Sequence, residues 1–328
     1  MKHLFASLLL LPGLALAQEP APESDDPYLW LEEVESDKAL DWAREKNEAS
    51  IGTLGDDADL AGMQARLLEV FDASDKIPRV SKIGDRYYNL WKDAEHPRGL
   101  WRRTTLESWK TDTPAWETVL DLDALGAAEE ENWVWHGADC LPPEYVRCMI
   151  GLSRGGADAD VQREFDLSTK DWVTKKPFFL PEAKQSIDWI DANTLYVATD
   201  FGEGSLTESG YPRIVKRWKR GTPLSKAKTV FEGESTDVSA GAWHDHRPGH
   251  ERDLAYRSTT FFTNTMYLLT KKGAVQIEKP EGAKLRLWKE HALFELRQDW
   301  EIGGTTWTAG SLLVADFDAW MNGDRTLT

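Results

Sequence analysis

The sequence predicts a mainly β protein, an incomplete β-propeller preceded by a short N-terminal α-helical segment. Three observations carry this. From Pro78 to Thr328 short β-rich runs alternate with turn clusters, and no strong helical periodicity interrupts them; that texture belongs to sandwiches, barrels and propellers. The stretch is about 250 residues, long for one sandwich and enough for about five blades of roughly 40–50 residues each. Similar units recur, each an apolar strand running into an Asp-containing turn: Leu120-Asp121-Leu122-Asp123, Phe165-Asp166-Leu167-Ser168 and Ala315-Asp316-Phe317-Asp318. The 16 tryptophans suit packing between blades, but large rings would fill any β core and do not choose the fold alone.

In chain order, residues 1–17 read as an export signal. Lys2 and His3 precede an apolar run from Leu4 to Leu16, and Ala15-Leu16-Ala17 fits the small-x-small cleavage rule, so cleavage falls between Ala17 and Gln18. The run is too short to span a bilayer, and no later segment approaches eighteen apolar residues. The residue after the cleavage point is Gln18 rather than Cys, so no lipid anchor on an N-terminal Cys is expected. Residues 18–25 are Pro- and acid-rich and read as flexible.

Residues 26–77 form the helical segment. Ser36 or Asp37 can cap a helix to about Ser50. A second helix carries Leu60, Met63, Leu67, Val70 and Phe71 at spacings of three and four, with Asp56, Asp57 and Asp59 at its N-terminal end, where acids suit the helix dipole.

The propeller region is 78–328. Arg79–Ile83 and Arg86–Trp91 flank Gly84-Asp85 as a hairpin. Leu100–Leu106 and Trp116–Leu122 are further strands, and Ile187–Ile190 pairs with Thr194–Ala198 across Asp191-Ala192-Asn193. Arg213–Trp218, Met266–Thr270 and Leu312–Phe317 continue the rhythm.

One motif imitates a catalytic site. Gly151-Leu152-Ser153-Arg154-Gly155 matches the G-x-S-x-G nucleophile pattern, which needs a strand before the Ser and a helix after it. The strand side, Arg147–Leu152, is present. The other side is Gly155-Gly156, a short acidic turn and a second strand, Val161–Leu167, so the motif reads as a hairpin and Ser153 as no nucleophile.

The two cysteines, Cys140 and Cys148, flank a Pro-containing loop. An exported compartment permits a disulfide between them, but sequence does not fix the Cα separation and leaves the bridge open. A net charge of −17 argues against nucleic-acid or anionic-membrane partners. His244-Asp245-His246-Arg247-Pro248-Gly249-His250-Glu251 gathers metal-ligand types, with His244 and His246 on one strand face. Pro248-Gly249 marks a turn, and a polar loop tip is the better reading. Asp200–Ser205 lacks the Lys of a phosphate loop. Lys216-Arg217-Trp218-Lys219-Arg220 reads as a strand end, and Asp121 with Asp123 as a solvated turn. No metal and no cofactor is expected.

Asp26-Pro27-Tyr28-Leu29-Trp30-Leu31-Glu32 resembles the opening of the prolyl oligopeptidase family of serine peptidases. The likeness continues through Arg98–Thr104, Trp116–Asp121, Asn132-Trp133-Val134-Trp135, Val161–Asp166 and Gly210–Lys216. The resemblance implies a seven-bladed propeller that restricts access to short peptides, joined to an α/β-hydrolase domain carrying a Ser-Asp-His triad. The N-terminal helices would belong structurally to that hydrolase domain. No doubly wound segment follows the propeller here, so the expected elbow, Asp and His are absent and no catalytic residue is carried over. The chain is expected to be the front, gating part of an exported peptidase, periplasmic or secreted. Its expected partners are a peptide substrate and the missing C-terminal α/β-hydrolase domain. The alternatives are a non-catalytic propeller binding module or a metal site on the 244–251 loop.

Overall fold

The computed structural model describes residues 26–33, 36–55 and 58–328. The signal and its cleavage point at Ala17 and Gln18, the 18–25 segment, and Asp56 and Asp57 lie outside the described residues. The chain divides into two compact units, one up to Phe71 and one from Asp72 to Thr328.

In the first unit, a 3-10 turn at Leu29–Glu32 precedes α1 (Asp37–Leu54). Ser36 caps α1: its hydroxyl accepts from the Ala39 N–H. The second helix is α2 (Ala58–Asp72), and Leu60, Met63, Leu67, Leu68, Val70 and Phe71 on it are all exposed.

The second unit is a succession of antiparallel sheets whose strands pair in sequence order. Blade one holds β1 (Ser81–Ile83), β2 (Arg86–Trp91), β3 (Leu100–Thr104) and β4 (Glu117–Asp121). Blade two holds β5 (Trp133–Cys140), β6 (Arg147–Arg154), β7 (Asp160–Asp166) and β8 (Asp171–Trp172), with β9 (Phe179–Ala183) also on β7. Blade three is β10 (Ser186–Asp191), β11 (Thr194–Ala198), β12 (Ile214–Lys219) and β13 (Lys228–Glu232). Blade four is β14 (Ser239–Asp245), β15 (Arg252–Ser258), β16 (Asn264–Thr270) and β17 (Gly273–Ile277). In blade five, β18 (Lys284–Trp288) and β19 (His291–Glu295) are followed by a small hairpin, β20 (Trp300–Ile302) and β21 (Thr305–Trp307), before β22 (Leu312–Asp316).

The cores lie between blades. Trp101 of blade one packs at 4.9 Å from Trp135 of blade two and at 6.3 Å from Phe165. Phe178, beside blade two, sits 5.8 Å from Trp189 and 4.9 Å from Trp218 of blade three. Tyr196, Val215 and Phe231 of blade three meet Ala240, Ala242 and Ala255 of blade four, and Met266 and Ile277 meet Leu285 and Phe294 of blade five. Each large ring fully buried in this way is worth about 1.5–3 kcal/mol.

Polar clamps reinforce the seams. Arg220 reaches from the end of blade three to Glu164 of blade two through bonds of 2.6 and 2.8 Å. Between blades four and five the Lys279 ammonium donates to the carbonyls of Asn264 (2.8 Å), Pro280 (3.1 Å), Glu281 (3.3 Å) and Ala283 (2.9 Å).

The expectation of an uninterrupted β region needs correction. α3 (Leu106–Trp109), α4 (Leu122–Glu129) and α5 (Phe317–Met321) are short helices within it. Two of the three recurring Asp positions start them. Asp121 caps α4 by accepting from the Ala124 N–H, and Asp316 caps α5 by accepting from the Ala319 N–H. Only Asp166 serves a plain turn, accepting from the N–H groups of Ser168 and Thr169.

Candidate functional site

Strands β5, β10 and β14 lie side by side, and buried ionisable groups from their three blades converge there. Trp189 links two of them: its indole N–H donates to the Asp139 carbonyl at 3.0 Å, while its own carbonyl lies 2.8 Å from His246 Nε2. The His244 N–H donates to Asp188 Oδ2 at 2.8 Å, joining β14 to β10. His244 Nδ1 lies 2.8 Å from Asp253 Oδ1 on the neighbouring strand. Asp139 Oδ2 is buried with no hydrogen-bond partner.

Burial dominates the electrostatics. It pushes the Asp188 carboxyl up to about 8, helped by the charges of Asp139 and Asp253 and opposed by the His244 N–H. It lifts Asp139 to about 6 and raises the Tyr196 hydroxyl, next to Asp253. The same desolvation lowers the His246 imidazole. Burial thus favours the protonated form of both carboxyls, Asp188 more strongly than Asp139.

A cleft of about 770 Å³ opens beside this cluster, lined by Pro142, Pro143, Tyr145, Trp243, His246 and Pro248 among others. One wall is the β5–β6 turn, closed by the Cys140–Cys148 disulfide. Tyr145 takes a left-handed backbone, φ 52°, and its ring lies over Gly84 of the blade-one turn. The other wall continues β14, where Arg247 is held by Asp245 at 2.7 Å. A larger cleft of about 890 Å³ near Lys271 and Lys272 is lined by side chains of blades three to five. Of the buried cluster it takes only Tyr196 and Asp253.

The residues singled out in the sequence are dispersed. Ser153 is fully buried on β6, between β5 and β7, with no partner for its hydroxyl. It is not at a strand-to-helix turn. His244 and His246 do share a strand face, their rings 4.6 Å apart, but each imidazole has its own partner. Among the described residues no three His, Cys, Asp or Glu side chains are grouped to hold a metal. Asp123 is no catalytic partner of Asp121: its carboxylate accepts from the N–H groups of Arg98 and Gly99. Asp139 and Asp188 were not legible as a pair. The available signal was an acid inside the apolar run Ile187-Asp188-Trp189-Ile190.

Blades stacked in sequence order through aromatic seams define a β-propeller domain. The comparisons give the family. The model of the prolyl oligopeptidase N-terminal beta-propeller domain matches residues 17–275, and the chain belongs to that family. It is 39% identical over 307 residues to an uncharacterized peptidase, y4nA, of Sinorhizobium fredii (strain NBRC 101917 / NGR234), covering 90% of this chain and 42% of that protein. It is 28% identical over 332 residues to an uncharacterized peptidase, RP174, of Rickettsia prowazekii (strain Madrid E), covering 95% of this chain and 46% of that one. A solved structure of a post-proline cleaving enzyme from Rickettsia typhi superposes with a TM-score of 0.82 at 28% identity, covering 91% of this chain and 46% of that chain. Oligopeptidase B from Leishmania major, at 13% identity and a TM-score of 0.62, shares the fold. The chain thus spans less than half the length of the curated relatives it matches.

Proposed function

We propose that this chain is the gating and substrate-selecting part of an exported prolyl-oligopeptidase-type serine endopeptidase that acts on short peptides. The hydrolytic triad is supplied by an α/β-hydrolase domain. The observation that carries this reading is the family match over residues 17–275, together with the 0.82 superposition on a post-proline cleaving enzyme. Two features support it. The apolar residues of α2, from Leu60 to Phe71, are exposed in their own unit, as a face for a further domain would be. The propeller offers a cleft beside a cluster of buried carboxyls. Export rests on the segment ending at Ala17.

The test compares this chain with the full-length protein on a proline-containing chromogenic peptide. The chain alone gives no hydrolysis. The full-length protein cleaves the free peptide and spares the same sequence inside a folded protein. Cleavage by the chain alone, or equal cleavage of free and folded sequences, refutes the division of labour. Intact mass of the protein recovered from the producing cells is expected to start at Gln18; a product retaining Met1 refutes the export reading.

A further inference from the structure

We propose that the larger cleft, lined by blades three to five, binds a small multivalent oxyanion, carboxylate or phosphate. Arg252 is the buried member of the site, and Arg217, Lys271 and Lys272 are its exposed ones. None of these four cations lines the cleft beside Asp139 and Asp188, and the site does not depend on the peptidase reading.

Arg252 lies on β15, and its side chain is only 9% exposed. Phe317 supports it, with the guanidinium 4.4 Å from the ring centre. A guanidinium carries five N–H donors in a planar fork that matches the oxygens of a carboxylate or phosphate. Here one hydrogen bond is made among the described residues, from Nη1 to the Lys289 carbonyl at 2.6 Å. The ion-pair partner, Asp318, is 81% exposed and stands 3.7 Å from Nη2, outside hydrogen-bond range. A nearly buried guanidinium, held from one side with its remaining donors uncommitted, is the arrangement an oxyanion completes.

The exposed cations are uncommitted too. Arg217 on β12 stands directly opposite Lys228 on β13, and neither makes an ion pair among the described residues. Like charges facing each other across strands are destabilising, and a bound anion would relieve them. Lys271 and Lys272 form the β16–β17 turn and likewise make no ion pair among the described residues. The Thr270 hydroxyl pins that turn, donating to the Gly273 carbonyl at 2.8 Å and accepting from the Lys272 N–H at 3.1 Å. Of the acids in the lining, Asp253 is held by His244 and Asp318 faces Arg252. That leaves Glu251 against three unpaired cations. The chain carries −17 overall, but at physiological ionic strength charges beyond about 8 Å are largely screened, so the local surplus decides. A volume of about 890 Å³ falls in the range of small-ligand sites, about 300–1,000 Å³.

The test is calorimetric titration of the protein with pyrophosphate and with citrate, at neutral pH and a fixed ionic strength. At least one is expected to bind with one-to-one stoichiometry, and the tighter of the two tells whether phosphate or carboxylate is the chemistry preferred. Replacing both turn lysines, Lys271→Glu with Lys272→Glu, is expected to weaken that binding roughly tenfold or more, the range of one charge-assisted hydrogen bond. Arg252→Lys keeps the charge and loses the fork, and is expected to weaken it roughly two- to tenfold. The lysine variant alters only an exposed turn and guards against a folding defect in the Arg252 variant. No binding of either anion overturns the proposal, as does binding that is unchanged in both variants. So does a stoichiometry well above one, which would mean diffuse attraction to scattered surface cations. Binding is read without catalysis, so its failure leaves the proposed peptidase role standing, and loss of peptidase activity leaves this binding result unaffected.

Discussion

Replacing Arg220 by Ala should be among the most damaging single changes in the propeller. The guanidinium forms a fork with Glu164 at 2.6 and 2.8 Å. It also donates to the Ala192 carbonyl at 2.9 and 2.7 Å and to the Lys176 carbonyl at 3.0 Å, and it lies 4.3 Å from the centre of the Phe178 ring. The Glu164 side chain is 1% exposed, so Arg220→Ala leaves a carboxylate without its counter-charge and without water. Breaking a buried pair in this way costs about 3–5 kcal/mol. The Phe178 N–H still donates to Glu164 at 2.8 Å, which places the expected loss toward the lower end. For a unit of this size each kcal/mol is worth roughly 2–4 °C, so the thermal midpoint should fall by on the order of 6–12 °C. Thermal unfolding followed by circular dichroism gives the value. The stranded charge makes a second demand: adding Glu164→Gln to Arg220→Ala should restore at least about 1 kcal/mol, because a neutral amide costs less to bury than an unpaired carboxylate. A loss under about 1 kcal/mol, as for an exposed pair, or a double variant no more stable than Arg220→Ala, would refute the reasoning.

Asp188 should make stability fall as pH rises. Its folded value, about 8, lies above the ordinary 3.8, so the folded state binds the extra proton between those limits. The contribution is complete below about pH 4 and is lost as pH climbs through about 8. Asp188→Asn is expected to flatten that slope and to gain on the parent chain toward pH 8; parallel denaturant midpoints at pH 5 and pH 8.5 would contradict this. Ser153→Ala removes a buried hydroxyl that has no partner, so stability should hold or rise by up to about 1 kcal/mol. On the proposed reading, Ser153→Ala in the full-length protein leaves peptide hydrolysis unchanged, and a collapse of kcat would contradict the reading of Ser153 as a buried strand residue.

What the sequence could tell depended on how local each signal was. The Gly84-Asp85 and Asp191-Ala192-Asn193 turns carry their own geometry, and the strands they join are β1 with β2 and β10 with β11. α4 escaped because its eight residues, Leu122–Glu129, are too few for periodicity to show, and its capping Asp121 looked like the other Asp turns. The Cys140–Cys148 bond was open until the β5–β6 register set the two residues opposite each other. The cleft was illegible for a different reason. Asp139, Asp188 and His244 come from three blades, and only the seams through Trp189 and His246 bring them together. Non-local packing of this kind leaves no spacing to read.

The Lys279 ammonium is enclosed by four carbonyl oxygens, as a small bound cation could be. Here the positive charge is delivered on a side chain and travels with the polypeptide. It cannot be stripped by a chelator, diluted away or exchanged when the medium changes. The junction of blades four and five is therefore cross-braced by the folded chain itself, and because burial lowers the Lys279 ammonium to about 8, the brace keeps its charge below that pH.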